Sequence, residues 1–173
     1  MIPSRQLGAP ALLIMIVCIC ATARAEGTVP VLLGEFKDWA AYTYKASDTT
    51  VCYVSARPQA SEPKTVKRDP AFFLVSNMPG RKVKGEVSTI IGYPFKKDSM
   101  AKLAVDDVKF ELITNADGAW ADSSATEKKI VAAMKTGKLL TVAGTSWRGT
   151  DTVDSYALEG ISEALAKIDD ACK

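Results

Sequence analysis

Histidine is absent from all 173 residues of the chain. Its absence excludes catalysis by Ser-His-Asp and Cys-His arrangements. It also excludes the histidine-rich sites that commonly bind zinc or iron, and the side chain that most often senses pH near neutrality. We therefore expect no enzyme activity, no catalytic residue, no metal site and no cofactor.

Clustered carboxylates, which could replace histidine in some enzymes, are also scarce. Asp106-Asp107 and Asp169-Asp170 are the adjacent acid pairs to consider. Neighbouring side chains do not face each other on a strand or on a helix, so neither pair has the geometry of a glycosidase. The loop at Asp117 offers one carboxylate and, at Asn115, one amide, which predicts a plain turn rather than a calcium site.

Net charge is nearly absent as well. The chain has 22 Lys+Arg and 20 Asp+Glu, but Arg5 and Arg24 lie in the first 25 residues, where there is no acid, so the remainder has 20 of each. A balanced chain has no electrostatic preference for nucleic acid or for an anionic membrane. We expect neither as a partner.

What the chain does have is a typical export signal. Arg5 precedes an apolar run from Ala9 to Ala21, and Ala23-Arg24-Ala25 has the small-x-small pattern of a cleavage site. The run is shorter than the roughly 20 residues of a spanning helix, which disfavours the alternative of a membrane anchor. The sequence predicts a signal peptide over residues 1–25 and one domain over 26–173. That domain would have no stable membrane span and would reside in the periplasm, in the outer envelope or outside the cell.

Two of the four cysteines remain after cleavage, Cys52 and Cys172. An even pair in an exported chain predicts a disulfide, the alternative being two free buried thiols. In the closing helix, Leu165, Ile168 and Cys172 share one face, so Cys172 is expected to point towards the strands that include Cys52.

Alternating apolar and polar residues dominate the chain and predict strands joined by hairpins. The pattern favours a mainly β fold: an antiparallel sandwich or partly closed barrel of about eight or nine strands with two short helices. The stretch from Asp117 to Gly149 is the structural centre, since a helix is predicted there between hairpins. Ser124 and Glu127 form a possible capping box, and Gly137 a C-terminal stop with positive φ. Ser162 is expected to cap the closing helix.

The connection from Ala56 to Pro70 is long and contains several prolines and basic residues. A basic docking patch and a solvated connection are both open interpretations, and the second is typical of so short a charge run. We expect this connection to be the most mobile part of the domain.

Three tryptophans could stack on sugars or pack in a core. Trp39, in a predicted strand, and Trp120, between a predicted turn and the central helix, are expected to pack against the core. Core packing is the expected role of Trp147 as well, but its place at a predicted hairpin tip beside Arg148 favours exposure more than for the other two. Trp147 and Arg148 are therefore the candidate binding residues.

Several short motifs follow one another in a specific order and spacing. They are Gly92-Tyr-Pro-Phe-Lys96, Asp117-Gly-Ala-Trp-Ala121, Ala132-Ala-Met-Lys-Thr-Gly137, Gly144-Thr-Ser146, Arg148-Gly-Thr150, Asp154-Ser-Tyr-Ala-Leu158 and Asp169-Asp-Ala-Cys172. On these motifs the chain, from about Cys52 to Cys172, resembles the invasion-associated locus B family of exported proteins from alphaproteobacteria. Trp147 stands where the family pattern has a small residue.

The resemblance implies a periplasmic or envelope-associated protein, linked in some pathogenic members to entry into host cells. It brings no catalytic residues. The expected function is binding of an unknown protein or surface partner, and the alternative is a module that binds a small ligand or a glycan.

Overall fold

The structure is a computed structural model that describes residues 29–173, so the predicted signal peptide lies outside the described residues. Within that range the chain forms eleven strands, one short 3-10 turn and two α-helices. The strands are β1 (Val31–Phe36), β2 (Trp39–Lys45), β3 (Thr50–Ala56), β4 (Ala60–Glu62), β5 (Phe72–Met78), β6 (Val83–Ile90), β7 (Met100–Val105), β8 (Val108–Asn115), β9 (Gly118–Trp120), β10 (Leu139–Thr145) and β11 (Asp151–Ala157); the helices are α1 (Ser124–Thr136) and α2 (Ile161–Ala171).

All strands belong to one antiparallel sheet with the order β1-β2-β3-β5-β6-β9-β8-β7-β10-β11-β4. The prediction of a mainly β, antiparallel fold with two short helices is confirmed. The strand count is higher than expected, partly because β4 and β9 have only three residues each, too few to show alternation. Among residues 29–173, β1 and β4 remain as unpaired edges, so the sheet is not closed into a barrel.

The sheet bends so that its two halves face each other in a sandwich-like arrangement. Trp39 on β2 is fully buried and donates its indole N–H to the carbonyl of Ala157 on β11, at 2.9 Å. Phe73 on β5 packs on Tyr156 of β11, with ring centroids 5.8 Å apart. These contacts join strands that are far apart in the sheet order, and burying each such large apolar side chain stabilises the fold by roughly 1.5–3 kcal/mol.

The helices cover the face of the sheet near β1–β3 and β6. α1 presents Ile130 and Met134 to the core, and α2 presents Ile161, Ala164, Leu165 and Ile168. The chain after α2 brings Cys172 to β3, where its sulfur lies 2.16 Å from that of Cys52, at disulfide distance. The two cysteines that the sequence pairs therefore meet in the fold.

Both helices begin at a residue other than the one predicted. Ser123, not Ser124, caps α1, and its hydroxyl accepts the Thr126 N–H. Gly160, not Ser162, precedes α2, with φ of 88°. Gly137 ends α1 as expected, but its φ is −81° rather than positive. A Cβ at Gly137 would overlap the side chain of Val105, so close packing rather than backbone conformation requires this glycine.

The connection from Ala56 to Pro70, predicted to be irregular, contains a short strand. Its strand β4 pairs with β11 through Ala60, Ser61 and Glu62. Its Arg68 side chain is buried against the sheet. The Arg68 charge is neutralised inside the fold by Asp154. Arg68 is therefore part of neither a basic docking patch nor a solvated connection, the two interpretations from the sequence.

Candidate binding cleft

Trp147 and Arg148 lie in the turn that joins β10 and β11, as predicted. Trp147 is 60% exposed, the highest value among the large aromatic side chains described. The guanidinium carbon of Arg148 lies 4.8 Å from the centroid of the Trp147 ring. Such a cation–π contact is worth about 0.5–1 kcal/mol at an exposed site and holds both side chains in one place.

The backbone of this turn is held by hydrogen bonds at both ends. Ser146 donates its N–H to Thr150 O at 2.9 Å, and Gly149 donates to Ser146 O at 2.8 Å. Gly149 has a φ of 84°, a conformation that glycine adopts without strain. Trp147 donates its N–H to Pro94 O at 2.9 Å, so the turn is fastened to a second segment. The exposed indole therefore stands on a fixed backbone.

A cleft of about 720 Å³ opens beside this turn. One wall is the turn itself, and the other is formed by the end of the Ala56–Pro70 connection. Polar and apolar side chains both line it: Thr65, Val66, Lys67, Arg68, Asp69, Gly92, Tyr93, Pro94, Ser146, Trp147, Arg148, Thr150 and Thr152.

Arg68 and Asp154 form a buried ion pair at the base of the cleft. Their side chains are 9% and 1% exposed. Arg68 Nη1 also donates to the carbonyl of Ile91 at 2.6 Å, and Ser61 Oγ donates to Asp154 at 2.6 Å. Burial lowers the pKa of Arg68, but the hydrogen bonds and charge of Asp154 outweigh this and raise it overall, so the guanidinium stays charged. The pair fixes one wall of the cleft to β11.

At Asp69, the wall formed by the Ala56–Pro70 connection lies against the backbone of Gly92. Asp69 donates its N–H to Gly92 O at 3.0 Å. Gly92 has a φ of 81°, and a Cβ there would collide with the carbonyl of Asp69. Glycine at this position therefore permits close backbone contact at the edge of the cleft.

Tyr93 is a buried tyrosine that lines the cleft. Its hydroxyl shares a hydrogen bond with Thr152 Oγ1 at 2.6 Å and donates to Gly144 O at 3.1 Å. Burial raises the pKa of Tyr93, which keeps the hydroxyl protonated near neutral pH. In this state it positions neighbouring groups and is a poor base.

Tyr156, on the strand that carries Asp154, is buried with its hydroxyl unsatisfied. The nearby Thr89 hydroxyl acts to lower the pKa of Tyr156. Thr89 itself donates its hydrogen bond to Phe72 O. Among residues 29–173, no group forms a hydrogen bond of acceptable geometry with the Tyr156 hydroxyl. Burial is the larger effect and raises the pKa of Tyr156.

The other candidates from the sequence lie away from the cleft. Trp39 is buried as expected, whereas Trp120 is 38% exposed on the outer face of β9. Asp106 accepts hydrogen bonds from the N–H groups of Lys138 and Leu139. Asp169 accepts one from Asn77. Within residues 29–173, no group of three or more His, Cys, Asp or Glu side chains could hold a metal ion.

Arg68, Asp154 and Tyr93 were not identified from the sequence as parts of the site. One signal was available for Asp154. It lies between Thr152 and Tyr156 on the inward face of an alternating strand, where an acid requires a buried partner. Arg68 comes from irregular chain, so no periodicity marks it as that partner.

Together, the fold and the site define a mainly β, disulfide-linked domain with a preformed cleft beside an exposed aromatic turn. The chain belongs to the family described as Invasion associated locus B (IalB) protein, whose family model matches residues 39–169. Comparisons with curated proteins and with solved structures found no match. Family membership and the disulfide are consistent with an extracytoplasmic protein. Residues 29–173 contain no helix of the length and apolarity needed to cross a membrane.

Proposed function

We propose that the protein is a non-catalytic, exported protein of the bacterial cell envelope that binds a protein or surface partner through the cleft at Trp147 and Arg148. The observation that carries the proposal is the exposed indole, with the Arg148 guanidinium over its ring, at the rim of the cleft. Tryptophan and arginine are the side chains most enriched at the energetic centres of interfaces. Fixing them before binding reduces the entropy lost on association.

The groups around the cleft favour binding over chemistry. Arg68 is neutralised by Asp154, and Tyr93 is held protonated by burial. Neither is placed to accept a proton from a substrate near neutral pH. The exposed charges that remain at the cleft, on Lys67, Asp69 and Arg148, suit recognition of a polar surface.

Export supports an envelope location for this binding. Residues 1–25 have the pattern of a cleaved signal peptide, and Cys52 and Cys172 lie at disulfide distance, as expected in an oxidising compartment. Some family members in pathogens are linked to host-cell invasion. The proposal therefore includes binding to a partner on the host-cell surface.

A small ligand or glycan is the second candidate, and the concave shape of the site favours it. A cleft of about 720 Å³ falls in the range of small-molecule sites. Trp147 at its rim offers an aromatic face for a sugar ring.

Site-directed photocrosslinking in intact cells tests the proposal and separates the two candidates. A photoreactive residue at Thr150, on the cleft rim, should give a discrete crosslinked protein band. The same residue at Glu163, exposed on α2 and outside the cleft, serves as the control. No band at Thr150, together with binding to immobilised glycans that Trp147→Ala abolishes, would replace the protein partner with a glycan.

A further inference from the structure

A second cavity lies between the two helices, above the core residues Val75 and Leu165. This helix groove has a volume of about 450 Å³ and shares no residue with the cleft at Trp147. Its apolar surface comes from β5, α1 and α2. The lining residues are Val75, Asn77, Lys84, Gly85, Lys128, Val131, Ala132, Lys135, Leu165 and Asp169.

One end of the helix groove is polar, but its groups already bond to one another. Asn77 is buried; its Nδ2 donates to Asp169 Oδ1 at 2.8 Å, and its Oδ1 accepts the Gly85 N–H at 2.9 Å. Lys84 Nζ lies 3.4 Å from Asp169 Oδ1. The only carboxylate that lines the groove is therefore paired with a cation and a buried amide.

Two further lysines remain along the α1 side. Lys128 and Lys135 line the groove and form no salt bridge within the described part of the chain. They are seven residues apart on one helix, so they lie on the same face about 10 Å apart along the axis. Lys84 balances the charge of Asp169. Lys128 and Lys135 therefore give the groove a net positive charge above its apolar residues.

We propose that the helix groove binds a free fatty acid, with the acyl chain on Val131 and Ala132, above the buried Val75 and Leu165, and the carboxylate at Lys128 or Lys135. Charge complementarity selects an anionic head group, and the apolar floor selects a hydrocarbon chain. β6 pairs with β9 only through Ser88, Thr89 and Ile90, so an acidic extended peptide beside Lys84 and Gly85 is the competing occupant that the test must distinguish. The cavity volume is also that of a small-molecule site rather than of a protein interface.

Titration of the disulfide-linked protein with decanoate, followed by amide chemical shifts, tests this assignment. We expect saturable shifts centred on Gly85, Val131 and Leu165. Lys128→Gln combined with Lys135→Gln should weaken binding roughly threefold to fivefold, as expected for the loss of one exposed ionic contact at whichever lysine holds the carboxylate. Lys129→Gln removes the same charge from the next position of α1, outside the groove, and should leave the affinity unchanged.

One further ligand and one further variant complete the test. The alcohol 1-decanol, which has the same chain without the charge, should bind at least threefold more weakly than decanoate. Ala132→Trp, at an exposed position of the groove wall, should block both. The proposal would be overturned if decanol bound as tightly as decanoate, or if Lys129→Gln weakened binding as much as the double variant. It would also be overturned by shifts confined to the Trp147 cleft, by binding of an acidic peptide alone, or by the absence of a saturable shift.

Discussion

The guanidinium of Arg68 and the carboxylate of Asp154 are hydrogen-bonded to each other inside the fold, although 86 residues separate them in the chain. This pair fastens the connection before β5 to strand β11 and thereby shapes one wall of the cleft. Its other partners, the Ser61 hydroxyl and the Ile91 carbonyl, leave the charges well satisfied. The cleft is thus built by a charge pair that joins two distant parts of the sequence.

Arg68→Met should destabilise the protein by about 3 kcal/mol, because it leaves Asp154 buried without its counter-ion. This value is the lower end of the range for buried pairs, because Arg68 lines the cleft and solvent can reach its neighbourhood. Urea unfolding monitored by tryptophan fluorescence measures the change. Arg81→Met is the matched control: its salt bridge with Asp48 is exposed, so little change is expected. Equal effects of both variants would contradict a structural role for the buried pair.

Removing the disulfide should reduce the free energy of unfolding by on the order of 4–5 kcal/mol, since Cys52 and Cys172 close a loop with a sequence separation of 120 residues. The Cys52→Ala, Cys172→Ala double variant should therefore unfold at much lower urea concentration than the oxidised protein. Reduction of the wild-type protein should have a similar effect. Unchanged unfolding after reduction would mean that the link does not restrain the unfolded chain.

The exported protein should begin at Glu26 and have a mass two hydrogens below that of the reduced form. This result is expected because the sequence predicts cleavage after Ala25 on export and a disulfide between the two cysteines that remain. Intact-mass spectrometry of the periplasmic fraction measures both. An unprocessed N-terminus, or two thiols that react with an alkylating agent under native and denaturing conditions, would contradict the expected compartment.

Tyr156 and Tyr93 predict a loss of stability at alkaline pH. Burial raises the pKa of each in the folded protein, so the unfolded chain releases these protons first, near pH 10. The stabilisation is complete below about pH 10 and is lost as the pH rises towards the folded-state values. Urea unfolding at a series of pH values should show this decline.

The two tyrosines should respond differently when their hydroxyls are removed. Tyr156→Phe should leave stability at neutral pH unchanged or higher, because its hydroxyl has no hydrogen bond, and should reduce the alkaline decline. Tyr93→Phe should cost about 1 kcal/mol at neutral pH, because it loses its bonds to Thr152 and Gly144. A larger loss for Tyr156→Phe than for Tyr93→Phe would contradict the hydrogen bonding described above.

Sequence patterns predicted the elements whose residues repeat regularly. The buried side of β3, with Cys52 and Val54, and the buried stripe of α1 follow directly from alternation and helical period. The exposure of Trp147 follows from its place at a hairpin tip. These features depend on neighbours a few residues apart, which is the range over which a sequence pattern operates.

The remaining features depend on contacts between distant residues. Arg68 meets Asp154, and Trp39 meets Ala157, only because the sheet folds back on itself. No local pattern specifies that bend or the short pairing of β4 with β11. The cap of α1 lies one residue before the predicted position. Ser123 and Ser124 have the same side chain, so only the backbone geometry decides which of them caps the helix.

Trp147 and Arg148 form the proposed binding site, and crosslinking at Thr150 in variants of this turn measures their contribution to partner binding. Trp147→Ala and Arg148→Ala should each reduce the yield of the crosslinked partner at least tenfold, as expected for residues at the centre of an interface. Their controls are Trp120→Ala, a half-exposed tryptophan on the outer face of β9, and Arg57→Ala, which removes a guanidinium stacked on Phe72. We predict full yield from both controls. An undiminished yield from Trp147→Ala and Arg148→Ala, or an equal loss in the controls, would contradict the claim.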